Sequence, residues 1–101
     1  MVRSGMRPVH PGEVLREEYL EPLGMSANAL SRALRVSAPR INDIVLERRG
    51  ITADTAMRLA RFFDTTPNFW MNLQAEYDLR QTELMSARVI MEEVAPYKPG
   101  G

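Results

Sequence analysis

Residues 36–45, with the sequence VSAPRINDIV, combine a helix start with side chains that can hydrogen-bond outward. A helical period places Ile41, Ile44 and Val45 on one face, which predicts that this face is buried. The opposite face carries residues that are small, rigid or able to hydrogen-bond: Ala38, Pro39, Arg40, Asn42 and Asp43. A helix face of this kind can enter a groove on a partner.

The rest of the chain offers little for catalysis or metal binding. His10 is the single histidine, it precedes Pro11 where a helix cap is expected, and there is no cysteine to share a metal ion. The sequence also has no Gly-rich phosphate loop and no HExxH motif. We therefore predict that the protein is not an enzyme and that it binds no metal ion and no cofactor.

The composition is that of one small domain. The chain has 101 residues, 45% of them hydrophobic, and no apolar run approaches the ~20 residues of a membrane span. Cysteine and a secretory leader are both absent from the sequence. These features predict a soluble, cytoplasmic protein without a membrane partner.

Positive charge is concentrated around the groove-facing stretch. Thirteen basic residues balance thirteen acidic ones, so the chain as a whole carries no net charge. Residues 26–50, however, contain five arginines and two acidic residues, a net charge of +3, whereas the segments before and after are slightly negative. A contact with nucleic acid is therefore expected within residues 26–50.

Apolar residues recur at spacings of three and four, which predicts an all-α fold. Five helix starts are marked by a capping residue or a first-turn proline: Pro11, Ser26, Ser37, Thr52, and Thr66 with Pro67. The first helix is expected to stop around Pro22 and Gly24. We predict a flexible segment 1–9, a helical domain 10–88 and a loose tail 89–101, which contains two prolines and two terminal glycines.

The predicted fifth helix is rich in aromatic residues. Phe69, Leu73 and Tyr77 lie at spacing four beside Trp70. Aromatic residues at helical spacing usually pack in a core, although they can also line a ligand pocket.

The second and third predicted helices, capped by Ser26 and Ser37 and joined by a tight turn, make a helix-turn-helix unit. The spacing and the local positive charge favour DNA binding. In the alternative, the pair is a plain helical hairpin within a bundle, and its arginines only keep the surface soluble.

Residues 10–80 as a whole resemble the HigA-type antitoxins of bacterial addiction modules, a branch of the Xre-type (phage-repressor-like) helix-turn-helix proteins. The resemblance is carried by the opening HPGE, the segment RRGITADTAMRLARFF and the ending TTPNFWMNLQAEYDL. It implies a five-helix antitoxin of the bacterial cytoplasm that, as a homodimer, represses its own operon at an inverted repeat. It further implies a small, basic, HigB-like toxin partner, an mRNA endonuclease, which the antitoxin binds and neutralises. The alternatives are a stand-alone repressor without a toxin and a helical interaction module that has lost DNA binding.

The resemblance also assigns roles to individual residues. It places the recognition helix on residues 37–46, with these positions toward the major groove: Ser37, Ala38, Pro39, Arg40, Asn42 and Asp43. Asn42 would pair with adenine and Arg40 with guanine or phosphate, because their forked side chains match those edges. Arg48 and Arg49, in the loop that follows, suit phosphate oxygens. Core and dimer contacts are implied for the aromatic set Phe69, Trp70, Leu73 and Tyr77.

Several positions depart from the pattern of related repressors, Arg35 and Ala27 among them. Arg35 stands where the turn usually carries glycine, and a left-handed backbone there would cost arginine on the order of 1 kcal/mol relative to glycine. Ala27 replaces a glutamine that many repressors use to touch phosphate, so that contact is expected to be missing.

Overall fold

The computed structural model describes residues 7–100, and all regular secondary structure in this part of the chain is helical. Helix α1 spans residues 11–23 in three consecutive segments: Pro11–Val14, a π-helical stretch Leu15–Leu20 and Glu21–Leu23. It is followed by α2 (Ala27–Leu34), α3 (Ala38–Val45), α4 (Ala53–Phe63) and α5 (Pro67–Glu93). The predicted all-α, five-helix fold is confirmed. Of the predicted N-terminal segment 1–9, residues 1–6 lie outside the described part.

Side-chain caps set the start of four helices. His10 caps α1, where its Nδ1 accepts a hydrogen bond of 2.9 Å from the backbone N–H of Gly12. Burial lowers the pKa of His10, which favours the neutral imidazole whose lone pair this cap requires. Hydroxyl oxygens cap α2, α4 and α5 as predicted: Ser26, Thr52 and Thr66.

The start of α3 is different, because Ser37 holds the N-cap position but its hydroxyl makes no capping bond. An N-cap hydroxyl normally accepts from the second or third amide of the helix. Pro39, at the second position, has no N–H, and the N–H of Arg40 donates instead to the backbone carbonyl of Ser37 at 3.2 Å. The predicted side-chain cap by Ser37 is therefore wrong, and the fixed φ of Pro39 pre-forms the first turn instead.

Helix α1 accommodates a proline near its end by widening. The ring of Pro22 would collide with the carbonyl four residues earlier in a regular α-helix. The preceding turn has π geometry, in which the N–H of Glu21 donates to the carbonyl of Arg16, and the helix ends at Gly24 with φ +63°. Leu15 and Leu20, at the two ends of the widened stretch, are both buried.

The core lies where the helices converge. Its fully buried apolar side chains come from all five: Leu15, Leu30, Ile41, Ile44, Leu59 and Trp70. Trp70 contacts the ring of Tyr19 at a centroid distance of 5.1 Å, and its Nε1 donates to the hydroxyl of Thr65 at 2.8 Å. Since its one polar atom has a partner, the indole can be buried without a desolvation penalty for an unpaired N–H.

Gly12 brings α1 into close contact with α3. A Cβ built at Gly12 would lie 1.8 Å from the carbonyl oxygen of Ile44, well inside van der Waals contact. Only glycine therefore permits this approach of one backbone to another. The HPGE segment thus supplies a cap, a first-turn proline and a small residue that together seat α1 against α3.

Helix α5 runs to Glu93 and so extends five residues into the predicted tail 89–101. Residues 86–93 contain no glycine or proline and include good helix formers, so the helix can continue through them. Pro96 disfavours a helical backbone at the residue before it, and the helix ends shortly before that point. The far half of α5 projects, and the described residues measure 58 × 26 × 25 Å. None of the helices in residues 7–100 combines the length and the apolar character needed to cross a membrane.

We expect Gly12→Ala to reduce the free energy of unfolding by about 3 kcal/mol or more, beyond the about 1–2 kcal/mol of a left-handed alanine, because a methyl group against a backbone carbonyl forces α1 or α3 to move. Gly24→Ala is the matched control, since its Cβ meets nothing within 4 Å and it costs only the positive φ. Urea denaturation followed by circular dichroism measures both variants. Equal destabilisation of the two would contradict the close contact at Gly12.

Candidate nucleic-acid interface

The turn between α2 and α3 consists of residues 35–37 and carries backbone strain. Arg35 has φ +62° and ψ +42°, a left-handed conformation, and its N–H donates to the carbonyl of Arg32 at 3.2 Å. The N–H of Val36 donates to the carbonyl of Ser31 at 3.0 Å, which closes the end of α2. Arg35 therefore does adopt the left-handed backbone considered from its place in the sequence, at a cost of about 1–2 kcal/mol for a non-glycine residue.

The outer face of α3 lies at the surface, and its inner face is in the core. Ile41, Ile44 and Val45 are buried, as their spacing predicts. Ser37 and Pro39 are exposed, and the other predicted groove residues are half-buried: Ala38, Arg40, Asn42 and Asp43. Arg48 and Arg49 are exposed in the loop after α3. The predicted groove residues and phosphate residues therefore lie on one helix and the loop that directly follows it.

Arg40 is held by a carboxylate from another helix. Its Nη1 lies 2.7 Å from Oδ2 of Asp54, in the first turn of α4. The same oxygen accepts from Nε of Arg58 at 2.8 Å. Hydrogen bonds from Arg58 and Arg40 lower the pKa of Asp54, so its carboxylate is ionised at neutral pH.

Asn42 is also engaged within the protein. Its Nδ2 donates to Oδ1 of Asn28 on α2 at 2.8 Å and to the carbonyl of Ala38 at 3.0 Å. These two bonds use both hydrogens of the amide, which leaves Oδ1 of Asn42 to accept from a base amino group. The bidentate pairing with adenine that the resemblance implies would require Asn42 to release one of these bonds, because adenine N7 needs a donor.

Asp43 draws the two loop arginines together. Nη2 of Arg48 lies 3.0 Å from Oδ1 of Asp43, and Nη2 of Arg49 lies 3.7 Å from Oδ2. The side chains of both arginines stay accessible, at 65% and 46% exposed. The pairs are thus surface ion pairs of about 0–1 kcal/mol, which phosphate groups can replace.

Two arginines outside the helix-turn-helix unit donate to carbonyls at the C-terminal ends of α2 and α3. Arg16 on α1 donates through Nη1 to the carbonyl of Val45, the last residue of α3. Arg58 on α4 donates through Nη1 to the carbonyl of Leu34 at 2.9 Å, at the end of α2. These contacts satisfy C-terminal carbonyls and place positive charge at the negative end of each helix dipole.

The aromatic set on α5 divides between core and surface. Trp70 is fully buried, Leu73 and Tyr77 are half-buried, and Phe69 is 37% exposed. The ring of Tyr77 meets the ring of His10 edge-on at 4.8 Å, so it anchors the start of α1. Trp70 and Tyr77 thus contribute to the packing of the domain itself.

Asn28 and Asp54 belong to this surface, and sequence reasoning does not identify either. Each lies 14 residues from its partner on α3 and on a different helix. Periodicity within one helix cannot reveal such contacts. Asp54 also has an ordinary local explanation, because acidic residues are common in the first turn of a helix.

Comparison with known proteins identifies the fold. A helix-turn-helix family model matches residues 17–70. The chain is 57% identical over 81 residues to virulence-associated protein I of Dichelobacter nodosus, which covers 80% of this chain and 75% of that protein. The solved structure of the Pseudomonas aeruginosa antitoxin HigA with the higBA promoter has a TM-score of 0.88 and 53% sequence identity, covering 91% of this chain and 100% of that one. The chain belongs to the HigA-type helix-turn-helix family.

A third HigA-type relative is antitoxin HigA-1 of Vibrio cholerae serotype O1, which is 37% identical over 82 residues, or 81% of this chain and 77% of that protein. The HigA-type family consists of DNA-binding antitoxins and transcription regulators. The prediction that the protein is not an enzyme is therefore confirmed, as is the resemblance on which the site residues were assigned.

We expect Arg40→Ala and Asn42→Ala each to weaken binding to operator DNA by about 1–3 kcal/mol and to relax the preference at one base position. Fluorescence anisotropy titrations with the promoter duplex of the protein's own operon and its single-base variants measure both effects. Arg61→Ala is the control, since it removes an exposed arginine in the last turn of α4, away from α3 and from the projecting half of α5. Unchanged affinity and selectivity in both α3 variants would show that this face does not read the bases.

Proposed function

We propose that the protein is an antitoxin that, as a homodimer, represses its own operon and neutralises a small basic HigB-like toxin, an mRNA endonuclease. The observation that carries the proposal is the outer face of α3, with Arg40 and Asn42 at the surface and Arg48 and Arg49 beside it. This face lies on a fold shared with the Pseudomonas antitoxin HigA, which was solved with the higBA promoter.

In this function α3 enters the major groove of the operator. Arg40 and Asn42 contact base edges, and Arg48 and Arg49 exchange the carboxylate of Asp43 for phosphate oxygens, which sets the register of the protein on the duplex. A symmetric dimer presents two copies of α3 to successive major grooves about 34 Å apart. The matching operator is an inverted repeat, because a two-fold protein reads two equivalent half-sites.

The projecting half of α5 supplies the surface for the second copy. Apolar residues recur along α5 at spacings of three and four in two runs that lie seven residues apart: Trp70, Leu73 and Tyr77, then Leu84, Ala87 and Met91, with Val94 directly after the helix. The first three pack on the domain, whereas Leu84, Met91 and Val94 are 57%, 82% and 63% exposed. A seam of this period pairs with an identical seam in a second helix. We therefore place the dimer contact on residues 84–94, beyond the aromatic set.

Met91→Glu tests this dimer contact. A charge in the apolar seam is expected to convert the dimer to a monomer and to weaken operator binding by about tenfold or more, since each monomer then binds one half-site alone. Met57→Glu on α4 is the control, because Met57 is also well exposed, at 63%, and lies outside the seam. Sedimentation velocity measures the mass, and a dimer that survives Met91→Glu would contradict the placement.

The exposed acidic face of α1 is the proposed toxin contact. Glu17, Glu18 and Glu21 are all exposed, whereas Glu13 is bound to Arg7 at 2.8 Å. Negative charge on this face complements a basic toxin and speeds and orients its association. The acidic face belongs to α1, whereas the DNA-binding face belongs to α3. One antitoxin can therefore hold toxin and DNA through different surfaces.

Affinity purification of the tagged protein from its native cell at moderate salt tests the antitoxin function. We expect mass spectrometry to find a small basic protein encoded by the adjacent gene, and the purified complex to shift the promoter duplex in a gel. The double variant Arg40→Ala, Asn42→Ala is expected to recover the toxin but not the promoter. Recovery of the protein with DNA alone would replace the antitoxin function with that of a stand-alone repressor.

A further inference from the structure

We propose that Asp54 is a positioning residue that sets the base preference of Arg40 and limits binding to non-cognate DNA. The inference rests on the proposed DNA-binding function and deepens it. Asp54 lies on α4, outside the two helices of the helix-turn-helix unit, and its carboxylate reaches back to the outer face of α3.

The contact belongs to a chain of charge-assisted hydrogen bonds that joins three helices. Oδ2 of Asp54 accepts from Nη1 of Arg40 at 2.7 Å and from Nε of Arg58 at 2.8 Å. Nη1 of Arg58 then donates to the carbonyl of Leu34 at 2.9 Å. The position of the carboxylate is thus fixed from α2 and α4, and it fixes the arginine on α3 in turn.

This geometry leaves one defined edge of Arg40 for DNA. A guanidinium is planar, so holding Nη1 sets the plane of the whole group. Within residues 7–100, the opposite edge, formed by Nε and Nη2, makes no other hydrogen bond. Two parallel donors in that edge match O6 and N7 of guanine in the major groove. Because Arg40 is already oriented, less side-chain entropy is lost when it meets its base.

Asp54 also changes what Arg40 does on the wrong sequence. A free arginine can swing to any nearby phosphate and add to sequence-independent affinity. The carboxylate competes with phosphate for Arg40 and repels the DNA backbone itself. The Asp54 carboxylate therefore increases sequence discrimination in two ways. It favours the contact of Arg40 with its base, and it disfavours the contact of Arg40 with phosphate on other sequences.

A purely structural role for Asp54 makes a different prediction. As a first-turn acidic residue it stabilises α4 through the helix dipole. If that were its only role, Asp54→Asn would lower the melting temperature and leave the base preference of the folded protein unchanged. Base preference is thus the readout that separates positioning from stability.

The test compares Asp54→Asn with Asp64→Asn, which removes a negative charge at the other end of the same helix. Asp64 has φ +57°, a conformation that asparagine also adopts readily, and it makes no contact with Arg40. Each full-length variant selects from a library of random-sequence duplexes, and the bound sequences are read out. Affinity is then measured for the selected duplex and for a scrambled duplex, and circular dichroism confirms folding.

We expect Asp54→Asn to lose the preference at the base position that Arg40→Ala also loses. It should bind the scrambled duplex about two- to fivefold more tightly per protomer, the magnitude of one exposed ion pair. Asp64→Asn should keep the wild-type preference, and Asp54→Glu, which retains a carboxylate, should keep most of it.

Asp54→Asn with the wild-type preference, or with the same behaviour as Asp64→Asn, would overturn the inference and leave the proposed function intact. A wild-type protein that selects no sequence from the library would instead remove the proposed DNA-binding function, and the inference with it.

Discussion

An eight-residue helix such as α3 does not persist in water on its own, because its few hydrogen bonds do not repay the cost of nucleation. It exists here because other helices hold it. Ile41 and Ile44 are fully buried beneath it, Gly12 lets the backbone of α1 touch its last turn, and Arg16 closes its final carbonyl. The closest of these contacts, between Gly12 and the carbonyl of Ile44, joins two backbones and leaves little room for α3 to move relative to α1. The direction of the outer face of α3 is thus set by the main chain, and long surface side chains only refine it.

A chain without net charge can still carry a surface for a polyanion, because the relevant charges are paired locally. Arg48 and Arg49 share Asp43, and Arg40 is joined to Asp54. Phosphate can replace the carboxylate that Arg48 and Arg49 share, whereas Arg40 can keep its carboxylate and offer its opposite edge to a base. Exchange of this kind adds less to raw affinity than free arginines would. It makes the outcome depend more strongly on how well the incoming partner matches the geometry.

Much of this architecture could be predicted from the sequence, because cap chemistry and helical period are local. Ser26 caps α2 as expected, and the buried stripe of α3 follows directly from its spacing. Ser37 is the exception, since Pro39 has no amide to donate and the amide of Arg40 bonds to the backbone carbonyl of Ser37 instead of its hydroxyl. Asn28 and Asp54 could not be predicted for another reason. They contact α3 from other helices, 14 residues away in sequence, and nothing in their local sequence marks them. Sequence reasoning thus predicted the outer face of α3 and missed the two residues on neighbouring helices that hydrogen-bond to it.

If the proposed dimer forms through the projecting half of α5, the order of that half depends on how much of the protein is present. Beyond Gln81 almost every residue of this helix is exposed, so its own domain contributes little to its stability. Such a segment opens locally at low energetic cost, and a second copy that covers it adds stability by mass action. In the proposed dimer, the order of this half of α5 would therefore rise with the concentration of the protein itself, and dilution would loosen the end of the helix.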